Sequence, residues 1–266
     1  MPQALPLIIL LTDFGDRDYF VGSMKGVILT INPQTTVVDL SHHIRPHAVE
    51  EAAYILKCCY AFFPDGTIHV VVVDPGVGSL RRALLVNTDR YFFLAPDNGV
   101  LSYIFDEEHQ VEVREITNRQ FKLESAGTTF DGRDLFAPAA AWLTKNQPVS
   151  AFGPVVRDAK TFPISKPRWE SETLLGEIVY IDRFGNLISN ISAALLKELE
   201  AVTKRPNPVI YIAGHAIRGL VCSYSEGDQQ KPCALINSNG YLEIFLKEAH
   251  AATELKVGRR GALRLS

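Results

Sequence analysis

From its start to about residue 150 the chain alternates two patterns, and little else constrains its fold as strongly. Predominantly apolar runs at 7–11, 36–40, 68–73, 83–87 and 91–95 read as strands. Stretches at 19–31, 46–62, 98–105 and 133–143 carry apolar residues at helical spacing, with Ala52, Ala53, Ile55, Leu56 and Cys59 on one face of the second. A strand that is apolar throughout has no face for water. The alternation therefore predicts an α/β domain whose mostly parallel sheet is flanked by helices on both sides.

The rhythm changes near residue 160. The segment FPISKPRWESET, with two prolines and mixed charge, reads as a linker. After it come short strand-like runs at 176–181, 187–190, 209–212, 234–236, 241–245 and 262–265, with one helix at 193–201. These predict a smaller, mostly antiparallel, barrel-like β domain. The expected domains are 1–162 and 173–266.

With 266 residues the chain is long enough for both. A net charge of −3 offers no electrostatic case for nucleic acid or a membrane surface as partner. The opening MPQALPLIILLTDFGD has no basic region, and its apolar run is too short for a signal peptide or a membrane span. None of the four cysteines is spaced C-x-x-C, so free thiols, a cytoplasmic location and no zinc site are expected.

Candidate chemistry gathers where strands end. In VVVVDPGVGSLRR an apolar strand gives way to Asp74, a glycine turn and Arg81. A dinucleotide fingerprint needs a third glycine where Arg81 stands, and a leading carboxylate repels a pyrophosphate. What remains is a plain turn in which Asp74 caps an amide, or a site in which Asp74 and Arg81 converge. In LTDFGDRDYF, Asp13, Asp16 and Asp18 follow the first strand; they suit Mg²⁺, ribose hydroxyls, or capping of the helix near Tyr19 by Asp16 or Asp18. Open α/β sheets bind ligands beyond the carboxyl ends of their strands, where Asp13 and Asp74 both lie. In TTFDGRDLFAP, Asp131 or Asp134 could cap a helix, or Phe130 and Asp131 could line a site mouth. YIDRFGNLISNI places Asp182, Phe184 and Asn186 on a turn, where the Asn186 amide could read a base edge. NSNGYLEI holds Ser238 and Glu243. His42, His43 and His47 read as structural.

Taken together and in order, TDFGDRDYFVGSMKG, VVDLSHHI, FPDGTIHVVVVDPGVGS, APDNGVLS, TFDGRDLFAPAAA, DRFGNLISNI and NSNGYLEI resemble the S-adenosylmethionine (SAM) hydroxide adenosyltransferases. These adenosine-forming SAM hydrolases are relatives of the fluorinase and chlorinase. The resemblance implies a two-domain chain in a homotrimer, with SAM bound between neighbouring subunits. It implies that Asp13 holds the ribose diol, that Asp18, Asp182 and Ser238 face the methionine end with Glu243 nearby, and that Phe184, Asn186 and Tyr224 line the adenine pocket. The loop around Tyr224 differs in length from the family's.

Around the attacking water, the hydrolases use an aspartate, an arginine and a histidine. Asp74 and Arg81 match the first two, whereas Asp131 occupies the histidine's position. That departure sets two like charges side by side unless Arg81 neutralises the pair. The halide-using relatives carry a tyrosine at position 74, a serine at Gly132 and a long insertion before the strand at 91–95; this chain has none of these. The implied activity is hydrolysis of SAM at C5′ to adenosine and methionine, with no metal or redox cofactor. The rival readings are a SAM or adenosine binder without turnover and a Mg²⁺-dependent phosphohydrolase built on Asp13, Asp16 and Asp18.

Overall fold

In β1 (Leu7–Thr12) every residue after the first is buried, as the unbroken apolar run requires. The computed structural model describes residues 6–266. β1 leads through α1 (Phe20–Ile31) to β2 (Thr36–Ser41), then through α2 (Val49–Cys59) and a 3-10 turn at Tyr60–Phe62 to β3 (Ile68–Val72). β4 (Ala83–Asn87), β5 (Phe92–Pro96), α3 (Ser102–Glu107) and β6 (Glu112–Glu115) follow, then a π-helical stretch, Gly132–Phe136, continuous with α4 (Ala137–Leu143).

The six strands lie in the order β2-β1-β3-β5-β4-β6. β2, β1, β3 and β5 run parallel; β4 is antiparallel to β5 and to the edge strand β6, which therefore points the same way as the first four. Alternation within β3 explains the two helical layers. Val70 and Val72 join a core with Met24 and Ile28 of α1 and Ala140 of α4. Val71 and the following Val73 join a second core with Ala52 and Leu56 of α2 and Ile104 of α3. Each buried Val, Leu, Ile or Met among these contributes about 1.5–3 kcal/mol relative to exposure.

The chain divides into this unit, ending at Pro163, and a second one, Ile164–Ser266. The second holds β7 (Arg168–Glu170), β8 (Thr173–Ile181), β9 (Leu187–Ser192), α5 (Ala193–Thr203), β10 (Val209–Ile212), β11 (His215–Arg218), β12 (Cys233–Ile236), β13 (Tyr241–Phe245), the short α6 (Ala251–Glu254) and β14 (Ala262–Leu265). Its sheet runs β11-β10-β14-β8-β9-β13-β12, with β7 also on β8. The antiparallel sheet is nearly closed: the Val221 amide, just past β11, donates to the Ala234 carbonyl of β12 at 2.9 Å. Alternate residues such as Leu174, Ile178, Leu242 and Ile244 fill its interior, with Leu196 and Leu199 of α5. Ser192 starts α5 by accepting from the Leu195 amide at 3.3 Å.

Several expectations need correction. The part of the presumed linker at Arg168–Glu170 is a strand. β6 and β11 went unread because their short sequences, EVRE and HAIR, are too polar to show a pattern. The third helix starts at Ser102, not 98, because residues 98–101 form a turn held by the Asn98 side chain. Neither Asp16 nor Asp18 caps α1; its N-cap is Tyr19, with no side-chain hydrogen bond. Asp131 does stand at the N-cap position of the stretch Gly132–Phe136 but makes no side-chain capping bond, and Asp134 lies inside that stretch. Among the described residues, no helix is long and apolar enough to cross a membrane.

Candidate active site

Asp13 directly follows β1 and Asp74 follows β3 by one buried valine, so adjacent parallel strands deliver both acids to one end of the sheet. The turn after Asp74 is closed by its own polar groups. Asp74 Oδ1 accepts from the Gly76 amide at 3.1 Å, and Ser79 Oγ donates to the Gly76 carbonyl at 2.6 Å. Gly78 adopts φ +78°, and a Cβ there would stand 3.2 Å from the Thr128 carbonyl oxygen. This glycine lets the turn lie directly against the loop that carries Phe130 and Asp131.

That approach brings Arg81 between two acids. Its Nε donates to Asp74 Oδ2 at 2.8 Å and its Nη2 lies 2.5 Å from the same oxygen. Nη2 also donates to Asp131 Oδ2. The side chains of Arg81, Asp74 and Asp131 are 8%, 4% and 24% exposed. Burial alone would lower the pKa of Arg81; the hydrogen bonds and charge of Asp74 and Asp131 outweigh it and hold the guanidinium above its ordinary value. The plain-turn reading of Asp74 thus holds only in part, since Asp74 caps an amide and also pairs with a buried arginine. Arg82, by contrast, pairs with Asp97 and Asp158 outside the site.

A cavity of about 280 Å³ opens on this cluster. Asp13, Asp74 and Asp131 line it together with Phe14, Phe20 and Phe130. The three rings pack edge-to-face or tilted, with centroids 5.2–5.8 Å apart. Three carboxylates against one guanidinium leave the cavity anionic, and its wall is aromatic. The sequence reading missed Phe14, Phe20 and His47 as lining residues. Their signal was position, since each follows a strand at the carboxyl end of the sheet. Asp16 and Asp18 do not join the cavity; both are exposed, and Asp16 lies 3.7 Å from His43 Nε2. Among the described residues no group of three or more His, Cys, Asp or Glu side chains is arranged to hold a metal ion.

The second unit has its own cleft, of about 910 Å³, lined by Asp182, Phe184, Asn186 and Tyr224 among others. Asp182 Oδ1 accepts from the amides of Phe184 and Asn186, both at 2.9 Å, and its Oδ2 accepts from Asn186 Nδ2 at 3.0 Å. Phe184 is left 75% exposed. Tyr224 donates its hydroxyl to Glu243 Oε1 at 2.6 Å, and Asn237 Nδ2 donates to Oε2 at 3.1 Å. Burial raises the pKa of Glu243, helped by the charge of Asp182, against the lowering effect of those two hydrogen bonds. Burial, then the bond to Glu243, raises that of Tyr224. Glu243 lies behind Tyr224 and does not line the cleft, and Ser238 is exposed on the turn before β13. A smaller groove ringed by Lys166, Arg168, Arg260 and Arg264 holds none of these residues.

Comparison with known proteins identifies the family. Residues 8–153 match the SAM hydroxide adenosyltransferase N-terminal domain, and residues 176–264 match the C-terminal domain. An (R)-S-adenosyl-L-methionine hydrolase of Methanocaldococcus jannaschii is 33% identical over 253 residues, covering 90% of this chain and 88% of that protein. A fluorinase of Actinoplanes sp. is 27% identical, covering 93% of each. The crystal structure of an uncharacterized conserved protein from Thermotoga maritima superposes with a TM-score of 0.89 at 32% identity, covering 97% of this chain and 99% of that one. The chain belongs to the SAM hydroxide adenosyltransferase family.

Proposed function

We propose that this protein hydrolyses SAM at C5′, giving adenosine and L-methionine. One observation carries the reading: Asp74 and Asp131, bridged by the buried Arg81, line an anionic, aromatic-walled cavity together with Asp13. SAM presents a ribose diol for Asp13 and a cationic sulfonium suited to an anionic wall. Water adds its oxygen to C5′, the C5′–S bond breaks, and its electron pair leaves on sulfur as the neutral thioether of methionine. The leaving group takes no proton, so the nucleophile is the difficulty. It has to be held about 3–3.5 Å from carbon, opposite sulfur, and relieved of a proton. Asp74 is the base or orienter, Asp131 a second acceptor for the water, and Arg81 the cation that stabilises developing hydroxide.

The same features oppose halide use. A carboxylate at 74 repels chloride and fluoride. A side chain at Gly132 would meet Phe130, Met24 and Phe14 at 3.1–3.2 Å, so there is no ready space for a serine. The family resemblance further supports a homotrimer in which this cavity is completed by a neighbouring subunit's cleft, with Phe184, Asn186 and Tyr224 at adenine, and Asp182, Asp18 and Ser238 at the methionine end.

A second reading has a specific observation in its favour. Both oxygens of Asp74 are already engaged, by Gly76 and Arg81, which suits a SAM or adenosine binder without turnover. Incubating the pure protein with SAM separates the two. Equal amounts of adenosine and methionine support hydrolysis; calorimetric SAM binding with no adenosine above a protein-free control supports the binder.

A further inference from the structure

We propose that His47 is a positioning residue for Asp13, acting through its backbone rather than its ring. His47 holds φ +67°, the left-handed region, and from there its amide donates to Asp13 Oδ2 at 2.8 Å. Glycine enters that region freely, other L-residues do so at a cost, and β-branched residues do so worst. The conformation is imposed by a loop that is tied down elsewhere. Arg45 pairs through Nε with the buried Glu51 at 2.5 Å. His42, at the other end of the loop, meets Thr12 Oγ1 through Nδ1 at 2.8 Å and accepts from the Gly15 amide through its carbonyl at 2.7 Å. The loop 42–47 is therefore bonded to the turn 12–15 on either side of Asp13. The amide of His47 is the contact it makes to the carboxylate itself.

The consequence is chemical. An N–H···O⁻ bond pins one oxygen of Asp13, so the carboxylate cannot swing without breaking it. A carboxylate fixed in advance meets a vicinal diol without losing that freedom on binding. This inference rests on the reading that Asp13 holds the ribose diol of SAM or adenosine.

The test titrates the full-length His47→Gly, His47→Ala and His47→Val proteins and the unchanged protein with adenosine and with 2′,3′-dideoxyadenosine, which lacks the diol. All three variants keep the amide and lose the imidazole, so they differ in how readily they adopt positive φ. Adenosine affinity should fall in the order Gly, Ala, Val, with on the order of tenfold between first and last. Affinity for the dideoxy compound should be level across the series. Equal adenosine affinity in the Gly and Val proteins, or a parallel loss for both ligands, overturns the proposal. If the Val protein does not fold, as judged by thermal melting, the Gly–Ala difference carries the same test. Failure of the functional reading looks different: the unchanged protein would then bind no adenosine, and this inference would fall with it.

Discussion

Arg81 directs both Nε and Nη2 at a single oxygen of Asp74, at 2.8 and 2.5 Å. Because Nη2 also reaches Asp131, one guanidinium ties together two loops 50 residues apart in sequence. Asp74→Asn keeps the shape but removes the charge and the base. It should cut the rate of adenosine formation by roughly 10²–10⁴, measured as kcat with SAM saturating. Arg81→Ala should abolish turnover and also destabilise the fold by about 3–5 kcal/mol, since it strands a buried carboxylate; denaturant melts check the second effect.

The family resemblance puts Asp131 where the hydrolases carry a histidine. Its bond to Arg81 makes it part of the cluster, but an attacking water held there would lie between two acids. Asp131→His should raise kcat for SAM. A rate that is unchanged or lower shows that the aspartate already serves the reaction here.

Gly132→Ser should not confer halide use, because the anionic Asp74 remains. Incubation of the variant with SAM and chloride, followed by chromatography, should show adenosine and no 5′-chloro-5′-deoxyadenosine.

The Tyr224–Glu243 bond, at 2.6 Å, is a separate target. Tyr224→Phe leaves a buried Glu243 oxygen without its donor, a loss of about 1–3 kcal/mol in stability. If Tyr224 lines the adenine pocket, the KM for SAM should rise while kcat stays within severalfold, in steady-state assays.

His69 makes a pH prediction. It is fully buried among Tyr60, Phe63, Tyr91 and Phe93, and neither ring nitrogen has a hydrogen-bond partner. Burial lowers its pKa from 6.5 to about 3. The folded state therefore holds the ring neutral while the unfolded chain protonates it. Stability from this group is complete above pH 6.5 and drains away as pH falls toward 3, by an amount on the order of a few kcal/mol. Comparing melting temperatures between pH 7 and pH 4.5, the fall should be smaller in His69→Leu than in the unchanged protein.

Much of this was legible before the structure. The apolar runs of β1 and β3 placed Asp13 and Asp74 at the carboxyl end of a parallel sheet, because periodicity and burial are local properties of sequence. The Arg81–Asp131 contact was not legible from spacing, because it depends on how two distant loops fold against each other. Nor was the π-helical start at Gly132–Phe136, whose pattern merges with that of α4. His47 read as a structural residue at the start of a helix; its role lies in a backbone angle that no side-chain pattern encodes. Phe14 and Phe20 drew no reading of their own, and their part in the cavity wall follows from their place beside Asp13.

The central claim is that water attacks C5′ of SAM at the Asp74–Arg81–Asp131 cluster. Running the reaction in ¹⁸O-labelled water and weighing the products by mass spectrometry tests it most directly. The account predicts adenosine carrying one ¹⁸O at the 5′ position, with unlabelled methionine in equal amount. Adenosine no more abundant than without protein, or adenosine formed without label, would contradict it.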